Sequence, residues 1–260
     1  VRHFSSALFL GTSGDVINLL DAAFSEPPET ENVSFMLKID EEILSVIHRR
    51  LAVEMAIRRA LETGEGFELH FQPIYSLEKE RFTMAEVLLR FSHPFLGEVS
   101  PSEFIPIAER NGLAVKIDEW VTRRSCSFAR RHRLQTRLGL ENIEINLSAA
   151  GILQHYFSDK LIEIANSYGI DPSFLMFEIT ETAATTAHDL LSGCMSKLQK
   201  HGFCFALDDF GAGYANITQV LNLPFYAVKL DRSLLDPDTG EENTAVVFED
   251  TLRMFKRMGK

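Results

Sequence analysis

"CFALDDFGAGY", residues 204–214, is an apolar run that ends in two adjacent carboxylates, Asp208 and Asp209, with a glycine-flanked turn directly after them. Strands disfavour Asp and neighbouring like charges repel, so something must hold the pair in place. A related design recurs along the chain. Glu86 lies in "MAEVLLR", Asn146 in "EINLS", Glu178 in "MFEITE" and Lys229 in "AVKLD". Each puts an acidic, amide or basic side chain near the C-terminal end of an otherwise apolar segment. In a parallel α/β barrel those ends converge on one face, where active sites are built.

Outward from these segments, strands and amphipathic helices alternate from Phe67 onward. Strands are predicted in "FELHFQPIY", "MAEVLLRF", "NIEINLS", "FLMFEIT", "FCFALDD" and "YAVKLD", and helices over 101–112, 117–135, 158–168, 187–201 and 242–258. Such alternation predicts an α/β fold with a parallel sheet, open or closed into a barrel. A further helix is predicted from Asp40 to Thr63, with Asp40 as N-cap, acids in the first turn and Gly64 as the stop. Leu44, Ile47, Leu51 and Met55 form its expected apolar stripe, and Arg49, Arg50, Arg58 and Arg59 its wet face. Before it, "SSALFLGTSGDVINLLDAAF" reads as strand, turn and helix, and "FSEPPETEN" as a Pro-rich linker.

The 260 residues are 45% apolar, enough for a sizeable core. No apolar run approaches the roughly 20 residues of a membrane-spanning helix. A net charge of −11 argues against binding a DNA or RNA polymer, which calls for a basic face. An anionic small substrate stays compatible, because bound divalent cations reverse the local field. Cys126, Cys194 and Cys204 lack metal-ligand or redox spacing and read as reduced packing residues of a cytoplasmic protein. "GTSGD" lacks the lysine of a phosphate-cradling loop.

Carboxylates that converge in one pocket cannot all stay ionised unless positive charge offsets them. Oxygen donors with an amide among them suit Mg²⁺ or Mn²⁺, and a pair of such ions is a standard device for phosphodiester hydrolysis. Asp208 and Asp209 project to different sides of the chain, so each could serve one ion, or one could bridge both. Taken singly, every residue has a plainer explanation. A strand-end Glu is most often a surface or ion-paired residue, a Lys near it is its partner, and "DDFG" is a good turn. Their recurrence on successive strands makes those separate explanations a poor joint one.

From about Phe67 to Lys260 the chain resembles the EAL domain family, bacterial phosphodiesterases for cyclic di-GMP. The resemblance rests on "FQPIYSLEKERFTMAEVLLRFSHPFLGEVSPSEFIPIAERNGL", in which "EVL" stands for the name-giving tripeptide, then "INLS", "FEITET", "LDDFGAGYANI" and "LNLPFYAVKLDRSLL" in family order. It implies a TIM-like (β/α)8 barrel with an antiparallel first strand. It implies a two-metal site of Mg²⁺ or Mn²⁺ held by Glu86, Asn146, Glu178, Asp208 and Asp209. Lys229 then holds the attacking water or the substrate phosphate, and Glu181 braces the loop after "DDFG". Gln72 and Arg90 contact substrate, the Arg fork suiting phosphate. The implied reaction opens one 3′–5′ phosphodiester of cyclic di-GMP to give linear pGpG, with Glu86, Asp208, Lys229 and Glu181 as the catalytic set. Other implied partners are a second copy, in a homodimer through this domain, and regulatory domains in a longer chain.

The sequence departs from the family pattern at Val87 for Ala, Ala212 for Thr and Phe91 for Trp. The segment ends before two further family strands, one of which carries another metal-site Glu. The expected organisation is therefore a remnant of a preceding domain or linker over 1–39, faintly similar to the tail of a GGDEF-type cyclase. A connecting helix over 40–64 follows, then an EAL-type barrel over 65–260 that lacks its last two strands. The expected location is cytoplasmic, with any membrane tether lying outside this segment. Two other functions compete with catalysis: a module that binds the dinucleotide or a protein and relays a signal, and an unrelated barrel metallohydrolase.

Overall fold

The computed structural model describes residues 3–4, 36–37, 41–186, 188–212, 222–235 and 241–260. The strand, turn and helix expected over 5–24, the linker over 24–32 and residues 213–221 lie outside the described residues. Two short strands, β1 (His3–Phe4) and β2 (Met36–Leu37), pair in parallel. A long helix, α1 (Glu41–Thr63), then leads into the main sheet.

Strands β3 (Phe67–Ser76) and β4 (Arg81–His93) form an antiparallel hairpin, and the short β5 (Gly97–Val99) folds back onto the end of β4. Helices α2 (Pro101–Arg110), α3 (Ala114–His132) and the short α4 (Leu134–Arg137) lead to β6 (Asn142–Asn146). Next come α5 (Ala149–Ile152), α6 (Phe157–Tyr168) and β7 (Leu175–Thr180). Helices α7 (Glu181–Thr186) and α8 (His188–Lys200) precede β8 (Cys204–Phe210), which is followed by β9 (Ala227–Leu230) and α9 (Glu241–Arg257). The sheet runs β3-β4-β6-β7-β8-β9, antiparallel at its first step and parallel after it.

The sheet is strongly curled, and one distance shows it. From β4 to β9 is four strand steps, which would span about 19 Å in a flat sheet at 4.8 Å per step. The Lys229 ammonium on β9 nevertheless lies 2.9 Å from the Glu86 carboxylate on β4. Such curvature is that of a TIM-like barrel wall. Among the described residues no pairing joins β9 back to β3.

Residue alternation explains which side chains meet inside. On β7, Phe177 and Ile179 are fully buried towards the helices, and Glu178 between them points to the barrel interior. β7 is buried over five of its six residues, as expected for a central parallel strand covered on both faces. Phe104, Phe157, Phe174, Phe203 and Phe205 fill the layer between sheet and helices.

Details of α1 and β4 differ from expectation. Ile47 of the expected stripe of α1 is buried, but the rest of the buried face is Val53, Ala56, Ile57 and Ala60, and Met55 is 71% exposed. Alanines at those positions let the helix approach α2 and α3 closely, and a hydropathy stripe built on Leu and Met does not register them. Glu86 also lies mid-strand, because β4 runs on past its parallel pairing with β6, which spans Met84–Val87. Relative to that pairing, Glu86 does sit at the C-terminal end.

Candidate metal centre

One lysine organises the centre. Lys229 Nζ donates to Glu178 Oε1 at 2.7 Å and to Glu86 Oε2 at 2.9 Å. Asp208 Oδ1 lies 3.6 Å away and Glu144 Oε2 3.9 Å away. Asn146 Nδ2 donates to Glu86 Oε1 at 3.2 Å, so the amide from β6 and the carboxylate from β4 meet directly. Four carboxylates from four strands thus surround one ammonium.

Burial gives these contacts their strength. The Glu178 side chain is entirely covered. Burial first, and then the facing Glu144 carboxyl, push Glu178 up to about 9, and Lys229 opposes that shift. Burial alone would lower Lys229, yet Glu178, Glu86 and Asp208 together hold its ammonium above the ordinary lysine value.

Asp208 and Asp209 part company as expected. The β8–β9 register shifts between Leu207 and Phe210, and Asp209 adopts φ 55° in the left-handed region. Burial and the charge of Asp208 raise the Asp209 carboxyl. Asp208 faces the lysine and Asp209 is exposed beside it. Glu181, the first residue of α7, accepts from the Gly211 backbone N–H at 2.9 Å, which ties the turn after β8 to the helix after β7.

The remaining site residues sit around this cluster. Gln72 is directly opposite Glu86 in the β3–β4 register and is exposed. Arg90 is four residues along β4 and donates to the Leu89 carbonyl at 3.1 Å. It borders a cavity of about 490 Å³ whose walls include Val87, Leu89, Ile105 and Val121, with Asn146 and Thr180 also on its lining. The cavity's inner edge is fixed by Asp118 on α3. Its Oδ2 accepts from the Ser148 hydroxyl at 2.6 Å and from the Ser148 N–H at 3.1 Å.

Glu144 is absent from the residues that the sequence singled out. It is 2% exposed and is the register partner of Glu86. The available signal was "NIEIN", where strand alternation puts Glu144 on the same side as Asn146. One carboxylate oxygen from each of Glu86, Glu144 and Glu178 lies within 4.8 Å of the others. Glu144 Oε2 and Glu178 Oε2 are buried without a hydrogen-bond partner. An all-oxygen donor set with orphaned buried carboxylate atoms fits a hard divalent cation such as Mg²⁺ or Mn²⁺.

Fold and centre together define a class of barrel built around a strand-end acidic cluster. Residues 54–260 match the EAL domain, and the chain belongs to that family. It is 38% identical over 192 residues to the biofilm architecture maintenance protein MbaA of Vibrio cholerae, covering 74% of this chain and 24% of MbaA. It is 32% identical over 187 residues to the cyclic di-GMP phosphodiesterase NbdA of Pseudomonas aeruginosa, covering 72% of this chain and 24% of NbdA. The chain therefore spans about a quarter of the length of each of these relatives. Among solved structures, the PaMucR phosphodiesterase in complex with c-di-GMP superposes with a TM-score of 0.68 at 30% identity, over 75% of this chain and 78% of that one. The FimX EAL domain from Pseudomonas aeruginosa bound to c-di-GMP gives 0.71 at 26% identity, over 81% and 82%.

Proposed function

We propose that this domain hydrolyses cyclic di-GMP to linear pGpG with the help of Mg²⁺ or Mn²⁺. The observation that carries the reading is the convergence of Glu86, Asn146, Glu178 and Asp208 around Lys229 in a chain of the EAL family. Glu86, Asn146, Glu178, Asp208 and Asp209 would hold the ions, whose chemistry is to polarise the phosphodiester and ease deprotonation of water.

The chain's own residues supply the rest. Lys229 is a half-buried cation that can hold a phosphate oxygen or orient a water. Arg90 clamps a phosphate, and the apolar cavity beside it accepts a flat base while excluding water. Gln72 contacts substrate from the exposed strand opposite Glu86. Glu181 keeps the turn after Asp208 and Asp209 in one conformation through Gly211.

The same reading extends to a cytoplasmic domain that acts within a longer chain and pairs with a second copy. Among the described residues no helix is long and apolar enough to cross a membrane.

The test is turnover of cyclic di-GMP followed by chromatography of pGpG, with Mg²⁺ or Mn²⁺ present and after chelation. Activity should vanish with EDTA and return with either ion. Ca²⁺ should support it poorly, since its looser coordination misplaces the reacting groups. Undiminished turnover in EDTA would sink the proposal. Tight binding of the dinucleotide without turnover would favour the signal-relay module instead.

A further inference from the structure

We propose that Glu144 is a further carboxylate of the metal centre, contributing to ion affinity alongside Glu86 and Glu178. This rests on the metal-dependent reading above and deepens it. Glu144 occupies the strand layer of Glu86, and the two are register partners on β6 and β4. Its side chain is 3% exposed, so water does not solvate its charge.

The lysine alone does not satisfy it. Lys229 directs hydrogen bonds to Glu178 and Glu86, and it stands 3.9 Å from Glu144 Oε2. That oxygen and Glu178 Oε2 are buried without a partner, and both residues belong to the cluster whose oxygens gather within 4.8 Å. Two orphaned acceptors side by side in a covered interior call for a cation between or beside them.

Charge counting points the same way. Glu86, Glu144, Glu178 and Asp208 face one ammonium, and Asp209 is close enough for Glu86 and Lys229 to act on its carboxyl. With two divalent ions bound, five ionised carboxylates would be balanced by them together with that ammonium. With Glu144 removed, the same ions would meet a less negative cage and bind more weakly.

The experiment titrates Mn²⁺ alone into the protein by calorimetry and follows the melting temperature with and without the ion. Glu144→Gln keeps the shape and removes the charge, and Glu144→Ser serves as a second variant that also vacates the position. Glu163→Gln removes an exposed carboxylate of α6 as a control. Glu144→Gln should weaken Mn²⁺ binding about ten-fold or more and shrink the melting rise that Mn²⁺ produces. Without ion, it should melt above the wild type, because one buried like charge is gone. The control should bind Mn²⁺ as the wild type does. Wild-type Mn²⁺ affinity and melting rise in both Glu144 variants would overturn this inference and leave the proposed activity standing. A wild type that neither binds Mn²⁺ nor opens cyclic di-GMP would overturn both.

Discussion

Asp118 shows how much one buried carboxyl governs. Burial moves it from an ordinary value of 3.8 up to about 7, against the pull of its bonds from Ser148. The folded state therefore holds the proton more tightly than the unfolded chain does. Stability from this group is complete below about pH 4 and is lost as pH rises through 7. Between pH 5.5 and 8 the wild type should lose about 2 kcal/mol relative to Asp118→Asn, which cannot titrate there. Denaturant melts at the two pH values check this, and parallel curves would refute it. At the centre itself, Glu86→Gln and Asp208→Asn should each weaken Mn²⁺ binding and abolish turnover. Arg90→Ala should mainly raise KM, by removing a phosphate clamp. Steady-state kinetics beside Mn²⁺ titration separates the two classes. Val87 faces away from Glu86 and is 2% exposed, so Val87→Ala should cost about 2 kcal/mol of stability and leave Mn²⁺ binding as in the wild type. Most of these residues were legible because a charge in an apolar strand is conspicuous. Glu144 is equally conspicuous in "NIEIN", but the family resemblance there rests on the amide two residues on.

Elements show where sequence patterns reach and where they stop. Strands β6, β7 and β8 were legible because parallel strands covered on both faces read as unbroken apolar runs, and "LMFEIT" is such a run. The buried face of α1 was legible only at Ile47, since the small side chains that permit close packing carry little hydropathy signal. Turns depend on backbone conformation, which composition records only through glycine. Gly66 enters β3 at φ 88°, and a Cβ there would lie 2.5 Å from the Ser92 carbonyl oxygen. Gly66→Ala should therefore lower stability by about 1–3 kcal/mol, measured by thermal or urea melts. Gly211 follows β8 at φ 99°, and its added Cβ would meet Leu234 at 2.6 Å. Because its N–H also binds Glu181, Gly211→Ala should reduce turnover more than Gly66→Ala does at matched stability.

At the scale of the molecule, the centre is assembled from strands far apart in the sequence. The hairpin of β3 and β4 sets Gln72 against Glu86 through short-range contacts. Asn146 reaches Glu86 across 60 residues, and Lys229 reaches it across 143. The barrel-like curl was legible only through the family, because no single segment encodes a curvature that all the strands share. A chain that gathers its acidic strands before its lysine strand passes through an order of events with an electrostatic cost. Short-range pairings form early, and long loops close late. Glu144 and Glu178, 34 residues apart, should therefore meet while Lys229, 51 residues beyond Glu178, is still distant. The repulsion peaks partway along the folding route rather than at its end. Millimolar Mg²⁺ should stand in for the absent lysine at that moment and speed refolding, an effect that stopped-flow fluorescence can time against an equal ionic strength of a monovalent salt.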